Sequence, residues 1–119
     1  MIYKRSKLIP ADQCGVYWVR VFHLYGGGQR KVSYVGEFVK TSVIFIKSEN
    51  WLKKKSKLNG VLIRLCKQSY RADGSNVIFK KNQTVLLKKR LTPRGKELLG
   101  PVDANVKRRK FMSSFSGVI

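Results

Sequence analysis

Apolar residues along the chain fall into short runs punctuated by glycine, asparagine, aspartate and lysine. Residues 16–25 are β-branched and aromatic and stop at Gly26-Gly27-Gly28, which predicts a strand followed by a turn. Both alternating faces of that run are largely apolar, so it is expected to be covered on both sides for much of its length, as in a small closed barrel or sandwich. Residues 34–46 make a second long β-type stretch, with Gly36 a bulge or turn point. Residues 60–66, 77–79 and 84–87 are further strand candidates, and Arg71-Ala72-Asp73-Gly74-Ser75 is a tight-turn sequence joining two antiparallel strands. Five short β segments so divided predict an all-β fold of a size that suits one barrel.

The intervening segments carry the cations. Residues 47–59, with Lys47, Lys53, Lys54, Lys55 and Lys57 around Trp51 and Leu52, are expected to form an exposed basic excursion from the barrel. After Leu87 come Lys88-Lys89-Arg90, Leu91-Thr92-Pro93-Arg94-Gly95 and Gly100-Pro101, whose breakers predict loop. Asp103 can cap a short helix over residues 104–112, with its cationic end placed against the helix dipole. No internal repeat or long linker divides the chain, so a single domain over residues 1–119 is expected, with a loop and helix extension from about residue 88.

Charge narrows the function. Among 119 residues, 26 are Lys or Arg and 6 are Asp or Glu, a formal charge of +20. Folding that many like charges into one compact body is self-repulsive unless a polyanion neutralises it. Nucleic acid is the leading candidate and an anionic membrane surface the second. No run reaches the ~18 apolar residues of a membrane span, so membrane insertion is not expected, and the first ten residues lack a secretory pattern. Cys14 and Cys66 show neither Cys-x-x-Cys spacing nor clustering with His, which predicts two thiols in a reducing compartment and no zinc site. Phe, Tyr, Met, Ile, Asn and Lys together number 42 against 25 for Gly, Ala, Arg and Pro, a skew that fits an AT-rich genome.

Catalytic templates find little support. The single histidine, His23, lies within an apolar strand and is expected to be a core or barrel-wall residue. The six acids, Asp12, Glu37, Glu49, Asp73, Glu97 and Asp103, are scattered, which argues against a paired-carboxylate site. Gly26-Gly27-Gly28 is not followed by the Lys-Ser/Thr of a phosphate loop. Neither catalytic residues, cofactor nor metal is expected. The cations, by contrast, occupy nearly every predicted loop. The RNA-facing candidates are Lys4, Arg5, Lys7, Gln29, Arg30, Lys31, Lys53, Lys54, Lys55, Lys67, Arg71, Arg90, Arg94, Lys107, Arg108, Arg109 and Lys110, with Arg20, Lys40 and Arg64 on strands. Charge pointing several ways suits a protein packed among several RNA segments better than one reading a single DNA groove. Trp18 is expected to pack in the core, whereas Trp51 is open between stacking on RNA and docking a protein.

One long motif resembles a known family. Gly60-Val61-Leu62-Ile63, nine residues, Asp73-Gly74, four residues, Phe79, two residues, Asn82, two residues and Val85-Leu86 match the signature of the universal large-subunit ribosomal protein L fourteen family. Ala11-Asp12 followed by Gly15, Gly26-Gly27, Val35-Gly36, Gly100-Pro101-Val102 and Lys110-Phe111-Met112 extend the likeness over nearly the whole chain. The resemblance implies a five-stranded β-barrel with a projecting β-ribbon and a C-terminal loop region containing short helices. It implies contact with large-subunit rRNA, with small-subunit rRNA at an intersubunit bridge, with neighbouring large-subunit proteins and with a ribosome-silencing factor that blocks subunit joining. On this pattern Trp51, Lys53 and Lys54 fall at the basic interface loop, and Arg94, Lys96 and Glu97 lie close to the docking surface. Ser48-Glu49-Asn50-Trp51-Leu52 stands where relatives commonly carry a Pro- and Gly-containing loop, and the tail after Met112 is short and Ser-rich. High charge, the AT-type skew and the lack of a presequence favour a mitochondrial member over a bacterial or plastid one. The competing readings are a free-standing RNA-binding module of oligonucleotide-binding-barrel type and an enzyme acting on RNA. The former would show several exposed aromatics on adjacent strands, whereas most aromatics here fall in strands expected to be buried on both faces.

Overall fold

The computed structural model describes residues 2–11, 16–26, 31–46, 57–88, 99–103 and 106. Its strands are β1 (Lys7–Pro10), β2 (Val16–Leu24), β3 (Phe38–Ile46), β4 (Lys57–Arg64), β5 (Ser69–Tyr70), β6 (Asn76–Val77) and β7 (Gln83–Leu87). Five of them close into a barrel in the order β1-β2-β3-β4-β7, and β5-β6 form a separate two-stranded hairpin. Barrel neighbours are antiparallel except β1 and β7, whose parallel pairing at Ile9↔Gln83 and Pro10↔Thr84 closes the circle. The all-β barrel expected from the sequence is present. The Asp-Gly turn also forms as expected, with Gly74 at φ +88° and the Arg71 amide donating to Ser75 O at 3.0 Å.

The membership of the barrel differs from the sequence reading. Lys7–Pro10, too short to stand out as a strand, supplies a stave, whereas residues 77–79 contribute only Val77, to the hairpin. β3 begins at Phe38 and not at residue 34, because Tyr34–Glu37 is a turn: Gly36 sits at φ +85° and Glu37 Oε2 accepts the Tyr34 amide at 2.9 Å. Residues 57–59 belong to β4 instead of the basic excursion, whose residues 47–56 lie outside the described part, as does the helix expected over 104–112 apart from Val106.

The expectation that β2 is covered on both faces is overturned. Only Val16, Val19, Val21 and Leu24 point inward, while Tyr17, Trp18, Arg20, Phe22 and His23 are exposed. Register shifts between Val16 and Val19 and between Val21 and His23 place two residues in succession on the outside. Each bulge resets the in-out alternation, so a strict period of two assigns the aromatics to the wrong side. Trp18 and His23 are therefore surface residues, and His23 stands edge-on to Tyr25 with ring centroids 5.0 Å apart.

Two-sided burial belongs instead to β4 and β7. Leu58, Leu62 and Leu86 join Ile2, Leu8 and Val19 inside the barrel, while Val61, Ile63, Val85 and Leu87 form a second cluster on its outside with Ala11, Val102 and Val106. These outward residues are aliphatic and have no polar end to offer water, and each one fully buried contributes roughly 1.5–3 kcal/mol. The buried threonine hydroxyls are satisfied across strands, Thr41 Oγ1 donating to Leu58 O at 3.0 Å and Thr84 Oγ1 to Val61 O at 2.8 Å.

Gly60 marks a close approach between the paired strands β4 and β7. A Cβ there would stand 2.7 Å from Thr84 Oγ1 and 3.4 Å from Val85 O. Displacing the hydroxyl would break its bond to Val61, so Gly60→Ala is expected to destabilise the chain by about 1–3 kcal/mol, read as a lower urea midpoint at unchanged slope. Unchanged stability would show that the packing at Gly60 has slack.

Candidate nucleic-acid interface

Strand pairing assembles a cationic surface on the outside of β1 to β4. Lys7 lies opposite Arg20, Arg20 opposite Ser42, and Ser42 opposite Lys57, so one row crosses four strands with three cations facing outward. A second row sets His23 opposite Lys40 and Lys40 opposite Asn59, and Asn59 Oδ1 accepts the Tyr25 hydroxyl at 2.9 Å. No described strand contains an Asp or Glu. Like charges directly opposed on one face are destabilising, so the Lys7–Arg20 pairing is a surface that gains from an anion laid across it.

A turn beside this face adds Lys4 and Arg5, both exposed. Arg5 adopts φ +73° and donates its amide to Val21 O at 2.6 Å. The left-handed conformation costs an L-residue roughly 1–2 kcal/mol that glycine would avoid. A cation is thus kept where backbone geometry favours its absence, which is the kind of local strain associated with function.

The hairpin forms a second basic region, with Lys67, Lys80 and Lys81 exposed around β5 and β6 and Arg71 half-buried in its turn. Arg71 Nε and Nη2 are buried without an acceptor within the protein. The turn itself is fixed by Asp73, whose Oδ1 accepts the Ser75 hydroxyl at 2.7 Å and the Ser75 amide at 2.9 Å. Those bonds, aided by the Arg71 charge, hold the Asp73 carboxyl below the usual carboxylate range. At the hairpin's root, the Cys66 amide donates to Asn82 Oδ1 at 2.9 Å, and its exposed thiol to Lys80 O at 3.2 Å.

The other sequence candidates divide by placement. Arg20, Lys31 and Lys40 reach the surface to differing degrees, but Arg64 is only 9% exposed. Its Nη2 donates to Leu99 O and desolvation pulls its guanidinium below the ordinary value. Arg64 is committed to the fold: it ties the segment of residues 99–103 across the outer cluster of β4 and β7. Gln29, Arg30, Trp51, Lys53, Lys54, Lys55, Arg90, Arg94, Lys96, Glu97 and Lys107, Arg108, Arg109 and Lys110 lie outside the described residues. The sequence reading missed Tyr17, Phe22 and Phe45, which are 53%, 39% and 54% exposed. Their signal was adjacency: two large rings in succession, as at Tyr17-Trp18, fit a bulged surface strand better than a two-sided core strand. Among the described residues no His, Cys, Asp and Glu group could hold a metal ion.

Relatives share this chain's whole length. The family model for Ribosomal protein L14p/L23e matches residues 1–117. Large ribosomal subunit protein uL14m of Tetrahymena pyriformis is 49% identical over 119 residues, covering 100% of both chains.

Two outcomes follow from the geometry. Arg64→Met is expected to loosen the segment of residues 99–103 and to cost about 1–3 kcal/mol for the lost charge-assisted hydrogen bond to Leu99 O, seen as faster amide exchange at Val102 and Asp103. Unaltered exchange there would dismiss the strut. In acid, the Asp73 contribution is present above the unfolded carboxylate value and vanishes as pH falls through the lower folded value. The Ser75 amide should therefore lose protection at low pH in the unaltered chain, and Asp73→Asn should flatten that dependence.

Proposed function

The chain belongs to the Ribosomal protein L14p/L23e family and is a structural constituent of the large ribosomal subunit, and we propose that in the mitochondrial ribosome it joins separate rRNA segments by cationic surfaces held at fixed angles. The observation that carries this reading is the in-register row Lys7–Arg20–Ser42–Lys57 on a face without acids. The barrel supplies rigidity, and cations are carried on three separate elements, the turn at Lys4-Arg5, the strand face and the hairpin region with Lys67 and Arg71. Arg grips phosphate through a planar fork and Lys acts as a point charge, and each phosphate neutralised releases counterions. Rigid placement lets one small protein hold RNA helices together against their mutual repulsion. The mitochondrial setting is supported by the full-length likeness to uL14m.

The finer partners belong to the same proposal. Residues 47–57, with Trp51, Lys53, Lys54 and Lys55, serve the intersubunit bridge to small-subunit rRNA. Arg94, Lys96 and Glu97 lie at a docking surface for a neighbouring large-subunit protein or a silencing factor, and Arg90 and Lys107–Lys110 extend the rRNA contact. The family likeness and the charge of these segments support this assignment.

Sucrose-gradient sedimentation of mitochondrial lysates tests it. A tagged chain should travel with large subunits and whole ribosomes and persist through a moderate salt wash. Reversing charge by Lys53→Glu, Lys54→Glu and Lys55→Glu should deplete whole ribosomes more than free large subunits. Equal loss of both would remove that loop from the bridge.

A further inference from the structure

The outer face of β2 and β3 carries more than charge. Trp18 and Phe45 are direct cross-strand partners and are 41% and 54% exposed. Tyr17 beside them is 53% exposed. Lys7 holds its ammonium 5.3 Å from the Trp18 ring centroid, a cation–π placement. The cation row through Arg20 runs alongside, about 7 Å further along β2 at roughly 3.4 Å per residue. Exposed rings and cations therefore lie side by side on one face, with the Lys7 ammonium over one side of the Trp18 ring and Arg20 further along the strand.

Resting on the RNA-binding reading above, we infer that this face is a stacking platform for an unpaired stretch of large-subunit rRNA, whose bases lie on Trp18 and Phe45 while its phosphates follow Lys7, Arg20 and Lys57. Duplex RNA keeps its bases within the stack, so exposed rings engage only bases that are splayed out. A groove that combines aromatic platforms with cations along the backbone is how single strands are held without sequence preference. A protein partner fits less well. Lysine is depleted at protein interfaces, and this face opposes like charges with no acid on its strands. The bulge around Trp18 gives the platform its origin, since it turns Tyr17 and Trp18 outward together.

Binding of the full-length chain to single-stranded oligouridylate and to inorganic polyphosphate separates stacking from charge. Trp18→Leu with Phe45→Leu keeps apolar area but removes the π-faces. It should weaken oligouridylate binding at least about 5-fold, the lower bound for losing one stacked base, and leave polyphosphate binding unchanged. Trp18→Tyr with Phe45→Tyr should restore the oligouridylate affinity. Arg20→Gln with Lys57→Gln should weaken both ligands. Unaltered oligouridylate binding by the leucine variant, or equal loss of both ligands without rescue by tyrosine, would overturn the platform. In assembled large subunits the leucine variant should raise the 2′-hydroxyl acylation of a short run of unpaired rRNA nucleotides. Unchanged rRNA reactivity with loss of a neighbouring protein would assign the face to protein docking and equally overturn the inference. Failure of the wider reading is distinct, since the unaltered chain would then not sediment with the large subunit.

Discussion

Two strands of this barrel are apolar on both faces, and that requirement divides the whole surface. β4 and β7 place Leu62 and Leu86 inward and Val61, Ile63, Val85 and Leu87 outward. The outward set has to be covered by something, and Val102 and Val106 do so, with Arg64 fixed to Leu99 as the tie. One half of the barrel exterior is thereby spent on folding. The opposite half, over β1, β2 and β3, is relieved of that duty and can carry Lys7, Arg20 and a set of exposed rings.

Electrostatics and packing agree on this division. A chain of formal charge +20 repels itself in the compact state, yet apart from Arg64 its described strands hold their cations on the uncovered side, with no acids among them. The few described acids are absorbed locally: Glu37 and Asp73 brace turns, and Asp103 is buried. None is left on the sheet to offset the basic face. An assembled ribosomal subunit supplies the missing negative charge from outside the protein, which is why such a surface is compatible with a stable component.

Much of the architecture was legible because it depends on local chemistry. Asp73-Gly74 announces its turn by side-chain acceptor and positive φ, and β-branched runs announce strands. Phase along β2 was not legible, because the bulges at Tyr17-Trp18 and Phe22-His23 depend on pairing with β3 and leave no mark in a period-of-two reading. Lys7–Pro10 escaped notice for a related reason, since a four-residue stave becomes a strand only through its partners β2 and β7. Arg64 could not be told from the surface cations by type alone. Its role emerges only where the chain returns at Leu99. Among the RNA-facing candidates, the sequence marked Lys7, Arg20 and Lys40 by charge, but the aromatic half of the same face was assigned to the core.

The parallel seam between β1 and β7 bears on how the molecule comes into being. Ile9 pairs with Gln83, 83 − 9 = 74 residues later, so the barrel cannot shut until most of the chain has been synthesised. Non-local pairing of this kind slows folding and leaves strand edges open meanwhile. During that interval a strongly cationic, half-formed sheet is attractive to any RNA in reach. Timely delivery to its own binding site, or a chaperone that shields it beforehand, becomes part of what this topology demands of the cell.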